Sequence, residues 1–447
     1  MRVVIIGAGQ VGTSIAANLA RDHDVVVIEA DAESAEQLKF ELDVLSVHGD
    51  GTSLAVQESA GVGDADMLIA STDDDRTNLV ACGTAKTLGD PFTIARTKSV
   101  EYLRTWERQR GAFGANYVVC SDLLTAENIV RIIGLPAAID LDPFAGGLVY
   151  MAEFEIEAGS PIAGQTVSEA DRFDSLTFAG VFRDEALIVP GGGTRIETGD
   201  RTVVIGRPES VQNFAMDVAP GTTPDDADDI VIAGGTQIGY HTARLLEERG
   251  FKPRLLEADE DRARELAEKL PKTVVMHHDA TDTDFLLREH VDESDVLVAA
   301  MHSDERNLLT SILAERLGVS RVIATVDNTE YVDLFEEIGI DVAINPRDVT
   351  AEEITRFSFE SVAENLAVLE NDQAEVLELE LTADSGMIGK TLEELDRELD
   401  GQFVVGAITR DNSFVTPRGD TVLEVGDHVV VFVETEFADD LMELLSE

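Results

Sequence analysis

The sequence predicts a tandem α/β protein, in which a doubly wound parallel-sheet lobe is followed by a small β-rich α+β lobe and the pair is then repeated. Three observations predict this. Short Val/Ile-rich runs alternate with amphipathic stretches of helical length, which implies a parallel sheet covered on both faces. A Gly-x-Gly-x-x-Gly stretch joins the first such run to the first helix. Segments of the first half return in the second after a shift that drifts only from 227 residues at the glycine loops to 229 at IARTKSVEY.

In chain order, residues 3–31 read VVIIGAGQVGTSIAANLARDHDVVVIEAD: a strand, a phosphate-binding turn, a helix from about Val11 to Leu19, and a second strand. This is the Rossmann-like arrangement. Gly7 permits the tight turn, Gly9 leaves room for a pyrophosphate, and Gly12 lets helix and sheet approach. Ala8, Gln10 and Val11 complete a loop whose helix offers its N-terminal amides to phosphate. Glu29 lies 17 residues past the last glycine, where an acid accepts hydrogen bonds from adenosine ribose hydroxyls. A carboxylate there repels a 2′-phosphate, which favours NAD(H) or adenine nucleotides over NADP. Asp50 and Thr52 end the third strand and are expected to border the adenine. Thr72 and Asp73 end the fourth, and Arg96, ending the fifth, is the expected phosphate cation.

The repeat begins where IVIAGGTQIG (230–239) answers VVIIGAGQVG (3–12). HHDATD answers HGDGTS, ESDVLVAAM answers DADMLIAST, DERNLLTSI answers DDRTNLVAC, and IATVDNTEY answers IARTKSVEY. The second loop keeps Gly234 and Gly239 but has Thr236 at the middle glycine, with Gly235 beside it and Gln237 and Ile238 following. Glu257 keeps the ribose acid, and Asp279 and Thr281 keep the third-strand pair. Thr325 stands where Arg96 does. The second site is therefore expected to bind more weakly, to prefer a ligand of different phosphate charge, or to be vestigial.

Each large lobe is followed by strand-like pieces that also match, RDEALIVPGGGTRIETGDRTVVIG (183–206) and RDNSFVTPRGDTVLEVGDHVVVFV (410–433). Turns are expected at Gly199-Asp200 and Gly426-Asp427. DVAPGTTPDDADD (217–229) reads as a linker. The expected division is 1–140 and 230–368 for the nucleotide-binding lobes, with 141–216 and 369–447 for the small lobes.

Composition narrows the class. A total of 88 acidic against 34 basic residues gives a net charge of −54, a surface that repels nucleic acid and anionic lipid. Only seven of the basic residues are lysines, and the acids are dispersed, a pattern resembling cytosolic proteins of extreme halophiles. No apolar run approaches a membrane span, no signal peptide is expected, and two cysteines are too few for a disulfide framework. His48 and His277 are the one histidine pair at matching positions, and strand-end packing or an adenine edge is the expected role. HHD (277–279) has no further His or Cys at ligand spacing, so no metal is expected.

VVIIGAGQVG, DADMLIASTDDDRTN, IARTKSVEY and their echoes resemble the TrkA family, the regulators of Trk-system potassium uptake, over nearly the whole chain. Each half looks like an RCK unit, a regulator of potassium conductance. The resemblance implies a cytoplasmic, membrane-peripheral gating ring, a homotetramer of tandem chains. Such a ring binds NAD(H) or ATP/ADP and controls a separate integral-membrane Trk-type potassium subunit. Thr236 and Thr325 depart from the pattern. The alternatives are an NAD-dependent oxidoreductase, for which no catalytic constellation is visible, and a scaffold that ignores nucleotide, for which Gly9 has no use.

Overall fold

The computed structural model describes all residues except 21–22, 136–137, 184–185, 220–228, 359–364, 370–372, 384, 399–402, 411–412, 439–440 and 442–447. Most of the expected linker therefore lies outside the described residues. The first lobe comprises β1 (Arg2–Ile6), α1 (Gln10–Leu19), β2 (Asp24–Glu29), α2 (Ala32–Glu41), β3 (Leu45–His48) and α3 (Leu54–Ser59). It continues with β4 (Met67–Ala70), α4 (Asp75–Leu88), β5 (Phe92–Thr97), α5 (Val100–Arg108), β6 (Tyr117–Cys120) and α6 (Ser121–Ile133). The small lobe after it holds β7 (Ala138–Phe144), β8 (Val149–Glu155), α7 (Val167–Ala170), β9 (Leu176–Arg183), β10 (Ala186–Ile188), β11 (Arg201–Gly206) and α8 (Pro208–Val218).

The second large lobe repeats the order with β12 (Ile230–Ala233), α9 (Gln237–Glu248), β13 (Arg254–Glu257), α10 (Glu260–Lys269), β14 (Val274–His277) and α11 (Thr283–Arg288). β15 (Val296–Ala299), α12 (Asp304–Leu317), β16 (Arg321–Thr325), α13 (Val332–Ile338), β17 (Val342–Ile344) and α14 (Pro346–Ser358) complete it. The last lobe has β18 (Asn365–Leu369), β19 (Ala374–Glu380), α15 (Leu392–Glu398), β20 (Phe403–Arg410), β21 (Ser413–Val415) and β22 (His428–Glu434).

Both large lobes are six-stranded parallel sheets of identical order, β3-β2-β1-β4-β5-β6 and β14-β13-β12-β15-β16-β17. The order reverses direction beside β1 and β12, and the crevice at such a switch point is where open α/β sheets bind ligands. Central strands of near-continuous Val, Ile and Ala are fully buried, as a sheet covered on both faces requires. The same polar device locks each sheet edge. Buried Asn78 receives Thr72 N–H at 2.9 Å and donates to the Thr72 and Arg96 carbonyls, while Asn307 does so with Met301 and Thr325. Asp75 and Asp304 each accept two backbone amides from the turn after β5 and β16. These pairs set the repeat shift here at 229, one residue from the sequence match of DDRTNLVAC with DERNLLTSI. Asp73 thus falls opposite His302, and Thr77 opposite Arg306.

The chain forms two compact units that pair like with like: Met1–Val130 with Asp228–Ser358, and Arg131–Ala227 with Phe359–Glu447. In the first unit α1 packs on α14, and Tyr117 Oη donates to Glu353 at 3.3 Å. In the second unit, five-stranded antiparallel sheets, β10-β9-β11-β8-β7 and β18-β19-β22-β20-β21, share a core that includes Phe144, Phe182, Ile205, Val376 and Phe432. Gly180 lies where a Cβ would come within 2.6 Å of Phe432, so a side chain there would hold the sheets apart. The turns at Gly199-Asp200 and Gly426-Asp427 prove to be anchored by buried charge. Arg183 binds Asp200 through both forks at 2.7 Å, and Arg410 binds Asp427 at 2.6 and 2.8 Å.

Candidate functional site

Each large lobe carries a cavity at its switch point. The first is about 510 Å³, and of the expected residues it gathers Gly7, Ala8, Gly9, Gln10, Val11, Glu29, Thr72, Asp73 and Arg96. Ser34, Ser71, Asp74, Thr77 and, from the second lobe, Arg347 line it as well. The second cavity is about 200 Å³ and gathers Gly234, Thr236 and Glu257 with His278, Met301, His302, Ser303 and Arg306. Small-molecule sites span roughly 300–1,000 Å³. The first cavity falls inside that range and the second below it.

The three loop glycines answer to different forces. Gly7 holds φ +100°, and a Cβ there would lie 2.9 Å from Thr72 Cγ2. A Cβ on Gly12 would sit 1.9 Å from the Gly7 carbonyl oxygen. Gly234 and Gly239 repeat both constraints, at φ +115° and 2.0 Å. The fold itself demands these four. Gly9 is different: its φ of −70° suits any residue, and a Cβ there meets nothing within 4 Å. Nor does any side chain cap α1. Thr236 has nearly the same backbone, φ −62° and ψ −179° against −70° and −179°, and uses its hydroxyl to cap α9. That hydroxyl accepts Gly239 N–H at 3.2 Å and donates to the Ala300 carbonyl at 2.7 Å. So the second loop satisfies its helix from within, whereas the first leaves a helix N-terminus open beneath a cavity.

Glu29 spans the loop and the strand end. Its oxygens accept Ala8 N–H at 2.6 Å and Asp31 N–H at 2.7 Å, as Glu257 does with Gly235 and Asp259 at 2.8 Å each. A ribose would find this carboxylate already oriented. Gly235 does not open toward its cavity; it is buried, and a Cβ there would lie 2.4 Å from Leu266 Cδ1.

Arg96 is buried, 5% exposed, and its Nη1 meets Asp73 at 3.3 Å, while Lys98 Nζ reaches the same carboxylate oxygen at 3.3 Å. Burial alone would raise the Asp73 pKa, but Lys98 and Arg96 outweigh it and hold the carboxyl below its ordinary range. Burial depresses the Arg96 pKa, with Asp73 opposing. Thr325 takes the place of Arg96 without a charge, accepting a hydrogen bond from Asn307 at 3.2 Å.

Several expected residues lie elsewhere. Asp50 and Thr52 close a turn, with Asp50 Oδ1 accepting Thr52 N–H at 2.8 Å and its hydroxyl at 2.7 Å, and they do not line the cavity. Those bonds hold the Asp50 carboxyl below its usual range. Asp279 and Thr281 form the same turn, and Arg306 binds Asp279 at 2.7 Å. Gln237 and Ile238 fall outside the second cavity's lining, as do Gly12 and Gly239 for their cavities. His48 and His277 hydrogen-bond to the Ala30 and Ala258 carbonyls at 3.1 and 3.0 Å, a strand-end role. Sequence reasoning missed Arg347 and Arg306. Alignment at 229 signals Arg306, because it then stands opposite Thr77, which lines the first cavity. No local pattern signals Arg347, because it reaches the first cavity from the other lobe.

Comparison with known proteins agrees with this architecture. Residues 3–121 and 230–346 match the TrkA-N domain family, and 151–217 and 376–446 match the TrkA-C domain family. A Trk system potassium uptake protein TrkA homolog of Methanosarcina mazei is 34% identical over 440 residues, covering 97% of both chains. Its counterpart in Archaeoglobus fulgidus is 34% identical over 444 residues, covering 99% of this chain and 100% of that one. The GsuK channel bound to NAD shares the fold, with a TM-score of 0.62 at 22% identity over 99% of this chain and 79% of that chain.

Proposed function

The chain belongs to the TrkA family, and from that premise we propose that it is a nucleotide-binding regulatory subunit of a potassium uptake system, with the first lobe as its working site. The ligand is NAD(H) or ATP/ADP. One observation carries the assignment of the site: Gly9 is a glycine that the fold does not need, at an uncapped helix N-terminus facing a cavity of about 510 Å³. A pyrophosphate there occupies the space a side chain would fill and supplies the missing acceptor. Arg96 neutralises phosphate charge, and Glu29 accepts from the ribose. The reading includes the domain division expected from the repeat, nucleotide-binding lobes at 1–140 and 230–368 and small ligand-sensing lobes at 141–216 and 369–447.

Control of a separate integral-membrane Trk-type subunit follows if the nucleotide binds one arrangement of a ring, a homotetramer of these chains, more tightly than another. The proposed ring works at the cytoplasmic face as a peripheral component; among the described residues no helix is long and apolar enough to cross a membrane. The competing reading, an NAD-dependent oxidoreductase, needs a proton donor or acceptor beside the nicotinamide. The carboxylates that line the first cavity are engaged, Glu29 by Ala8 and Asp31 N–H, Asp73 by Arg96 and Lys98, and Asp74 by Arg76 N–H and the Thr77 hydroxyl, which supports the regulator.

Calorimetry of the full chain with NADH, NAD, ATP and ADP in molar potassium chloride tests this. One site per chain is expected to dominate. No binding by any of the four, or protein-dependent NADH oxidation coupled to a small alcohol, aldehyde or amino acid, overturns it.

A further inference from the structure

We propose that the first cavity is completed from the second lobe, with Arg347 binding the terminal phosphate of a nucleoside triphosphate; this rests on the nucleotide reading above. Arg347 is the second residue of α14, the helix that packs on α1, whose N-terminus opens into the cavity. It lines that cavity together with Arg96. Among the described residues its half-buried guanidinium has no hydrogen-bond or ion-pair partner, although Asp73, Arg96 and Asp348 all lie within its electrostatic reach. Asp73 is already shared by Arg96 and Lys98. Asp73 is thus shared among Lys98, Arg96 and Arg347, while Asp122 also acts on Arg96 and Asp348 on Arg347. What the Arg347 guanidinium lacks is a bonded partner in the cavity it lines, and a phosphate oxygen supplies one. Glu29 and Asp74, the other acids of the lining, are engaged elsewhere, Glu29 by Ala8 and Asp31 and Asp74 by Arg76 N–H and the Thr77 hydroxyl.

The repeat supplies an internal control. β6 pairs with β5 as β17 pairs with β16, Ile94 opposite Tyr117 and Ile323 opposite Val342. α6 and α14 then begin two residues after Val119 and Ile344, at Ser121 and Pro346, so Asp122 is the counterpart of Arg347. Asp122 lies close enough to His302, which lines the second cavity, for the imidazole to favour its charged form. Asp122 does not line the second cavity; it lines a separate one of about 550 Å³ with Lys98, Gln237 and Tyr240. The site with the open helix N-terminus is lined by an arginine of the other lobe, and the counterpart of that arginine is an acid outside the second cavity's lining. Terminal phosphate binding through Arg347 ties the two lobes together, while dinucleotide, which has no terminal phosphate, leaves that tie unmade.

The test is calorimetry of the full chain with ATP, ADP and NADH, for wild type, Arg347→Gln and Arg347→Lys, with melting curves to verify folding. A hydrogen bond to a charged group contributes about 1.5–3 kcal/mol, so Arg347→Gln is expected to weaken ATP roughly 10-fold or more. NADH should change by less than about 3-fold on the same scale, and ADP should fall between. Arg347→Lys keeps the charge and loses the fork, and should recover part of the ATP affinity. A loss shared equally by all three ligands marks a structural role and overturns the proposal, as does no change in any. Wild type that binds no nucleotide overturns the parent reading and this proposal together. Wild type that binds while Arg347→Gln is unaltered overturns this proposal alone.

Discussion

The two nucleotide lobes share sheet order, turn geometry, the Asn78/Asn307 lock and the Glu29/Glu257 brace, yet differ at three residues that line the first cavity. Gly9 becomes Thr236, Arg96 becomes Thr325, and Asp73 becomes His302. Residues the fold requires stayed alike in both copies. Residues the fold does not require stayed suited to phosphate in one copy only. A duplicated chain thereby separates constraint by folding from constraint by ligand, because each lobe is the other's control.

The comparison breaks most sharply at Gly9. Gly9→Asp sets a carboxylate against the pyrophosphate, and like-charge juxtaposition costs several kcal/mol, so affinity at the first site should fall by at least about 100-fold. The melting temperature should hardly move, since a side chain there meets no neighbour. An unfolded variant, or unchanged affinity and stoichiometry, would show that the loop has been misread.

Arg96→Thr imports the second lobe's residue and should lower ATP affinity by about 10-fold relative to NADH, with Arg96→Lys intermediate. Titration of each variant with ATP, ADP and NADH supplies the ratios. If they stay at wild-type values, Arg96 serves the Asp73 pair and the strand end only.

Stability sharpens the contrast from the other side. Thr236→Ala removes a helix cap and should cost about 1 kcal/mol, read from denaturant melts. Gly9→Thr should do the reverse in the first lobe, capping α1 and stabilising the ligand-free chain while competing with nucleotide. A destabilised Gly9→Thr would mean the two loops are less interchangeable than their dihedral angles indicate.

The contrast extends to pH dependence, where the lobes carry opposed groups. Burial pushes the Asp122 carboxyl up to about 6, with Lys98 and Arg96 opposing. Its native form holds a proton more tightly than the unfolded chain, so its contribution is full below about pH 4 and fades as pH rises through 6. Burial pushes His241 down to about 4, and the neighbouring Arg244 and Arg104 add to this. Here the unfolded chain holds the proton more tightly, so the contribution is full above about pH 6.5 and fades as pH falls toward 4. The melting temperature of Asp122→Asn relative to wild type should therefore climb between pH 4 and 7, and that of His241→Asn should decline. Parallel drifts would contradict the burial of one group or the other.

Much was legible in the residues. Strand–helix alternation, the glycine loops, the strand-end acids and the duplication all depend on neighbours within a few positions or on a repeat visible by eye. Element limits moved by a residue or so, as at α1, which begins at Gln10. Asp50 and Thr52 mark where legibility stopped. Their place at a strand end was evident, but their engagement with each other, rather than with the cavity, depends on side-chain direction.

The sequence by itself determined the lobes, their order, their repetition and the glycine loop, because backbone sterics and hydrophobic periodicity act locally. Only the tertiary structure decided which glycine is free of the fold, since that depends on whether Thr72, the Gly7 carbonyl or empty space lies over each Cα. It also decided that like lobes pack together and that Arg347 enters a cavity built more than two hundred residues away in the chain. Contacts of that separation leave no periodic trace in the residues that make them, and they arise only when folded surfaces meet.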